Sequence, residues 1–209
     1  MPDVDIKPYG SWKSPITSAL IVGESVSLSQ PAIDEDEIYW LEMRPSEGGR
    51  NVIVRRDSAG VITEAIPRSF NARTRVHEYG GGDYVVHKGL ICFSNFTDQR
   101  LYKQLPGQSP QPITPEVDLR YAEGLVDEAR NRLVCVREDH TVAGREAVNT
   151  IAALNLDGAM DGEQVLVSGN DFYSTPRLSP DGSRLAWLTW NHPNMPWDES
   201  ELWVGEFAA

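Results

Sequence analysis

Four stretches of this 209-residue chain can be laid over one another. They are Glu37-Ile-Tyr-Trp-Leu41, Gly89-Leu-Ile-Cys-Phe93, Arg132-Leu-Val-Cys-Val136 and Arg184-Leu-Ala-Trp-Leu188. Aligned on Ile38, Leu90, Leu133 and Leu185, they recur at spacings of 52, 43 and 52 residues. Each is short, apolar and rich in β-branched or aromatic side chains, the pattern of a strand covered on both faces. A turn precedes every one, most clearly Ser179-Pro-Asp-Gly182, where proline presets φ and glycine accepts a positive one. Another apolar run stands before each turn: Tyr84–Val86, Ala122–Val126 and Thr175–Leu178. A third strand follows, at Val52–Val54, Leu101–Tyr102, Ile151–Leu156 and Leu202–Val204. A fourth follows in three repeats, at Val61–Ala65, Gln111–Ile113 and Gln164–Val167.

Four antiparallel strands repeating every 40 to 50 residues or so make a β-propeller blade. The expected fold is all-β, an incomplete propeller of about four blades over 30–67, 82–114, 121–169 and 173–209, after an N-terminal leader at 1–29. Within the leader, Ile16–Val22 is expected to offer a strand to another blade. The fourth blade stops after its third strand, and the exposed edge this implies predicts self-association. In this alignment Cys92 and Cys135 fill the slot that Trp40 and Trp187 fill elsewhere, which makes them core fillers rather than reactive thiols.

Composition narrows the function. Lysine and arginine number 19 against 31 aspartates and glutamates, a formal charge of −12 that argues against nucleic acid and anionic membranes as partners. The N-terminus, Met1–Gly10, has no apolar signal core, and the longest apolar run is far too short to span a bilayer, so a cytoplasmic location is expected. No Gly-x-Ser-x-Gly, phosphate loop or His-Glu-x-x-His occurs, and the four histidines lie far apart. The acidic runs Asp34–Glu37 and Asp157–Asp161 lack the order of a calcium loop and read as solvated turns. Neither a catalytic residue, a metal nor a cofactor is expected of this chain.

Two connections exceed what the repeat needs. Arg75-Val-His-Glu-Tyr-Gly-Gly-Gly-Asp83 sets Arg75, His77, Glu78 and Tyr79 ahead of three glycines. It reads either as a tight crossover between blades or as a ligand-facing loop in which Glu78 meets a cationic group. Trp190-Asn-His-Pro-Asn-Met-Pro-Trp-Asp198 is too long for a hairpin and too apolar for an idle loop. It should pack on a blade, a domain or a ligand, with Asn194 and Trp197 as candidate contacts.

These two strings, with Tyr9–Ile16 and the Ser179–Gly182 turn, resemble the N-terminal propeller of serine peptidases of the prolyl oligopeptidase superfamily. The branch they are most similar to is that of acylaminoacyl-peptidases and dipeptidyl aminopeptidases. The resemblance implies a propeller that caps a C-terminal α/β-hydrolase domain, admits short peptides and excludes folded proteins. It assigns no catalytic residue here, and Arg75, His77, Glu78, Tyr79, Asn194 and Trp197 are the candidate substrate contacts. The alternative is a non-enzymatic TolB-like propeller that binds a protein or a peptide.

Overall fold

The structure is a computed structural model that describes residues 6–23, 25–157 and 162–207. Four antiparallel sheets follow one another along the chain. The first holds β1 (Ser27–Asp34), β2 (Glu37–Arg44), β3 (Arg50–Arg56) and β4 (Ile62–Glu64) in sequence order. The second holds β5 (Tyr84–His87), β6 (Leu90–Ser94), β7 (Leu101–Gln104) and β8 (Gln111–Pro112). The third holds β9 (Leu119–Asp127), β10 (Arg132–Asp139), β11 (Val148–Asn155) and β12 (Gln164–Val167). The fourth has β13 (Phe172–Leu178), β14 (Arg184–Trp190) and β15 (Glu201–Glu206). The first strands of neighbouring sheets touch, β1 with β5, β5 with β9 and β9 with β13, as the inner strands of propeller blades do.

Three apolar cores lie between the four blades. Tyr39, Leu41 and Ile53 meet Ile91 and Phe93 between the first two. Cys92, Leu101 and Ile113 meet Leu133, Cys135 and Leu154 between the second and third. Val134, Val136 and Ile151 meet Tyr173, Leu185 and Trp187 between the third and fourth. Successive residues of a strand point to opposite faces, so β10 sends Leu133 and Cys135 one way and Val134 and Val136 the other. This explains the unbroken apolar run of the repeat.

The same parity corrects the alignment. Ile91 and Phe93 face the preceding blade, as Leu133 with Cys135 and Leu185 with Trp187 do, whereas Cys92 faces the following one. The second repeat is therefore displaced by one residue, and Phe93, not Cys92, is equivalent to Cys135 and Trp187. A one-residue shift exchanges the faces of a strand, and only the packing shows which is right. Both cysteines are free and buried, and burial pushes the Cys92 thiol up to about 12 and the Cys135 thiol also upward. Neither is disposed to react as a thiolate at neutral pH.

The leader differs from its expectation. Ser18–Gly23 is a short helix α1 rather than a strand, with Thr17 Oγ1 accepting from the Leu20 amide 3.1 Å away. A capping hydroxyl ahead of the apolar residues favours a helical turn. The first sheet also begins at Ser27, inside the segment assigned to the leader. Residues 1–5 of the Met1–Gly10 segment, 158–161 of the second acidic run and 208–209 of the last blade lie outside the described residues. On β15, Leu202, Trp203 and Val204 are exposed.

The blades are also joined by polar bonds near the inner strands. Gln30, Glu123 and Thr175 adopt left-handed φ of 50°, 57° and 54°, each at the irregularity that interrupts its inner strand. The bulges at Gln30 and Glu123 turn their side chains toward the Gly81–Asp83 stretch ahead of the second blade. The Gln30 amide donates to Asp83 Oδ2 at 2.6 Å, and its Oε1 accepts from the Asp83 amide at 2.9 Å. The Gly82 amide donates to Glu123 Oε1 at 2.9 Å, and the Glu123 amide to the Gly82 carbonyl at 2.8 Å. A Cβ on Gly81 would lie 3.2 Å from that of Ala122, and one on Gly82 3.3 Å from the Glu123 Cα. The glycine run is thus a close crossing of two blades.

Burial pushes the Asp83 carboxyl up to about 6, although the Thr74 amide and Gln30 bond to its charged form. A carboxyl raised in the fold above its ordinary 3.8 is favoured when protonated, so its contribution to stability falls as pH rises from about 4 to about 6. The loss is of the order of 3 kcal/mol. Asp83→Asn should remove this component, read as the difference between wild-type and variant urea midpoints across pH 4 to 7 or so. A difference that does not vary with pH would refute the assignment.

Candidate functional site

The two long connections converge at one end of the third and fourth blades. Val76 is fully buried in the core between these blades and anchors the first connection. Beyond it the backbone turns sharply, with His77 and Glu78 at φ of 56° and 64°, a conformation that costs non-glycine residues energy. Tertiary bonds hold it there. The His77 amide donates to Glu138 Oε1 at 2.6 Å, and Arg120 Nη1 donates to the Arg75 carbonyl at 3.1 Å and to Glu78 Oε1 at 2.6 Å. Pairing with Arg120 keeps the Glu78 carboxyl below its usual range.

Above this turn lies a cavity of about 500 Å³. Its wall is aromatic. Phe172 and Trp190 are stacked with centroids 5.4 Å apart, the His77 ring stands edge-on to Trp190 at 5.2 Å, and His192 meets Phe172 at 4.9 Å. Its floor is polar. Glu138 is almost completely buried, and its Oε2 lies 3.0 Å from His140 Nε2. Asn149, 6% exposed, and His77 each present a buried polar atom, Oδ1 and Nε2, with no partner among the described residues. Burial holds the His77 imidazole below its ordinary pKa, against the opposing pull of Glu138, so the ring is neutral at pH 7. Four carboxylates, Glu78, Glu138, Glu146 and Asp171, border the cavity against two arginines, Arg145 in its lining and Arg120 paired with Glu78 and 3.9 Å from Glu138, which leaves a negative, partly apolar recess.

Of the sequence-derived candidates, His77, Glu78 and Tyr79 line this cavity. Arg75 does not; its guanidinium lies over Phe96 and its amide bonds Gln99. Asn194 and Trp197 are also outside it: Asn194 Nδ2 bonds Glu199 and Trp197 is 74% exposed. The second connection contributes Trp190, His192 and Met195 instead. The sequence reading missed Glu138 and Asn149 because each looks like an ordinary polar residue at a strand end. Phe172 and Trp190, an aromatic pair flanking a strand-end loop, could have been noticed. Among the described residues no group of three or more histidines, cysteines or carboxylates is placed to hold a metal, and no helix is long and apolar enough to cross a membrane.

No family model and no curated protein matches the chain. Solved structures do. A puromycin-hydrolysing peptidase from Mycobacterium tuberculosis is 38% identical over 97% of this chain, with a TM-score of 0.87. The chain belongs to the propeller part of the prolyl oligopeptidase family of peptidases. A puromycin hydrolase is 35% identical over 97% of it, with a TM-score of 0.85. A prolyl endopeptidase, 14% identical over 87% with a TM-score of 0.59, shares the fold. This propeller chain spans 33% and 34% of the length of the two puromycin-hydrolysing proteins and 28% of the endopeptidase.

Proposed function

We propose that this chain is the recognition and gating part of a peptidase that acts on short peptides. Bond cleavage would reside in a C-terminal α/β-hydrolase domain, since the chain has no Gly-x-Ser-x-Gly of its own. The observation that carries the reading is the convergence of both long inter-strand connections on one acidic, aromatic-walled cavity. His77, Glu78 and Tyr79 are its recognition residues from the first connection, and Met195 belongs to the second. The excess of carboxylate at the rim favours ligands with a free, cationic amino terminus. The high similarity to puromycin-hydrolysing proteins supports a small substrate.

Calorimetric titration of the chain with trialanine amide and with its N-acetylated form tests this. The free amine should bind several-fold more tightly. Equal affinity would remove amino-terminal recognition, and no binding of either would remove the recognition role. In parallel, the chain should leave aminoacyl-p-nitroanilides uncleaved. Turnover that persists through further purification would contradict the division of labour.

A further inference from the structure

We propose that the cavity takes a planar guanidinium group, the arginine side chain of a peptide, seated between the Trp190–Phe172 wall and the acceptors on its floor. The inference deepens the peptide-recognition reading and rests on it. Its basis is the match between what the cavity offers and what a guanidinium needs. Glu138 Oε1 accepts from the His77 amide and Oε2 from His140, but a carboxylate has about four acceptor positions, so acceptor capacity remains on a buried anion. Arg120 Nη1, 3.9 Å from Glu138 Oε2, is too distant to use it. Asn149 Oδ1 and His77 Nε2 are buried without a partner among the described residues. Such atoms are uncommon in native proteins and call for an explanation.

All three groups accept hydrogen bonds once the His77 proton is on Nδ1. Guanidinium is a flat group with five N–H donors, no acceptor and a permanent charge. It also makes cation–π contacts with aromatic rings, and Trp190 and Phe172 both line the cavity. A lysine ammonium is compact, strongly hydrated and not planar, so it would satisfy the floor without using the wall. The excess of carboxylates over Arg145 and Arg120 adds the charge complement.

The test uses N-acetylarginine amide, which carries the guanidinium and no free amine, in calorimetric titration of the 209-residue chain. Its neutral isostere N-acetylcitrulline amide and N-acetyllysine amide are the controls. The arginine probe should bind about tenfold more tightly than the citrulline probe and several-fold more tightly than the lysine probe. Asn149→Leu, which removes an atom that bonds nothing among the described residues, should keep the urea midpoint and weaken the arginine probe about fivefold. Equal affinity for citrulline or lysine, no saturable arginine binding, or an Asn149→Leu variant that binds arginine as before would each overturn the proposal. If trialanine amide binds while the arginine probe does not, this inference falls and peptide recognition stands. If the arginine probe binds and trialanine amide binds no more tightly than its acetylated form, it is amino-terminal recognition that falls.

Discussion

Asp127→Ala is expected to lower the unfolding free energy by about 3–5 kcal/mol. Asp127 closes the inner hairpin of the third blade and is 1% exposed. Its Oδ2 accepts from Arg132 Nε at 2.8 Å and from Arg130 Nη1 at 3.2 Å. Both guanidiniums also lie over the Phe207 ring, at 4.2 and 4.8 Å, and Arg130 donates to the Gly182 carbonyl at 3.0 Å. One carboxylate therefore bridges two cations that tie the third blade to the fourth. Removing it leaves an uncompensated charge on Arg132, a group that is largely buried. Urea denaturation measures the change. A loss below about 1 kcal/mol would mean that solvent reaches the arginines and the triad adds little. The Asp127→Ala/Arg132→Leu double variant should recover much of the loss, because burying neither charge is far less costly than burying one.

Leu133→Ala should cost about 2–5 kcal/mol. Leu133 is fully buried and sends its side chain from the third blade into the core shared with Cys92, Leu101 and Ile113 of the second. Gly124 stands beside it on β9, where a Cβ would be 3.5 Å from Leu133 Cδ1. The neighbours are two rigid sheets, so the space left by three lost carbons should close poorly, and poor closure brings the cost toward the upper end. Leu133→Met, which keeps the volume, should lose less than about 1.5 kcal/mol. Matching urea midpoints for the alanine and methionine variants would show that this interface relaxes, contrary to close packing between blades.

The strands were legible in the sequence because each blade repeats one local pattern: an apolar run, a turn, another apolar run. Tyr84–Val86, Gln164–Val167 and Leu202–Val204 all fall in strands where the pattern put them. Two features misled. Ile16–Val22 is apolar enough for a strand, yet a strand needs a partner edge and a helical turn needs only its own backbone and a capping hydroxyl. The second repeat admits two alignments one residue apart, with Cys92 or Phe93 opposite Trp187, because the whole run is apolar. Parity there carries no hydrophobic contrast.

The candidate site was only half legible. Three consecutive residues, His77, Glu78 and Tyr79, stood out because their loop exceeded the needs of a crossover, and they do line the cavity. Arg75, in the same loop, bends over Phe96, and Trp197 points to solvent. Loop membership by itself does not fix which way a side chain faces.

By itself the sequence determined the blade repeat, the order of strands within each sheet and the absence of a hydrolase nucleophile motif, since all three reside in residues near one another along the chain. The tertiary structure alone decided which face of each strand meets which blade, and that Glu138, Asn149, Phe172 and Trp190 join His77 around one recess. Those residues come from five separate stretches of chain, and no local pattern records the stacking of sheets that brings them together.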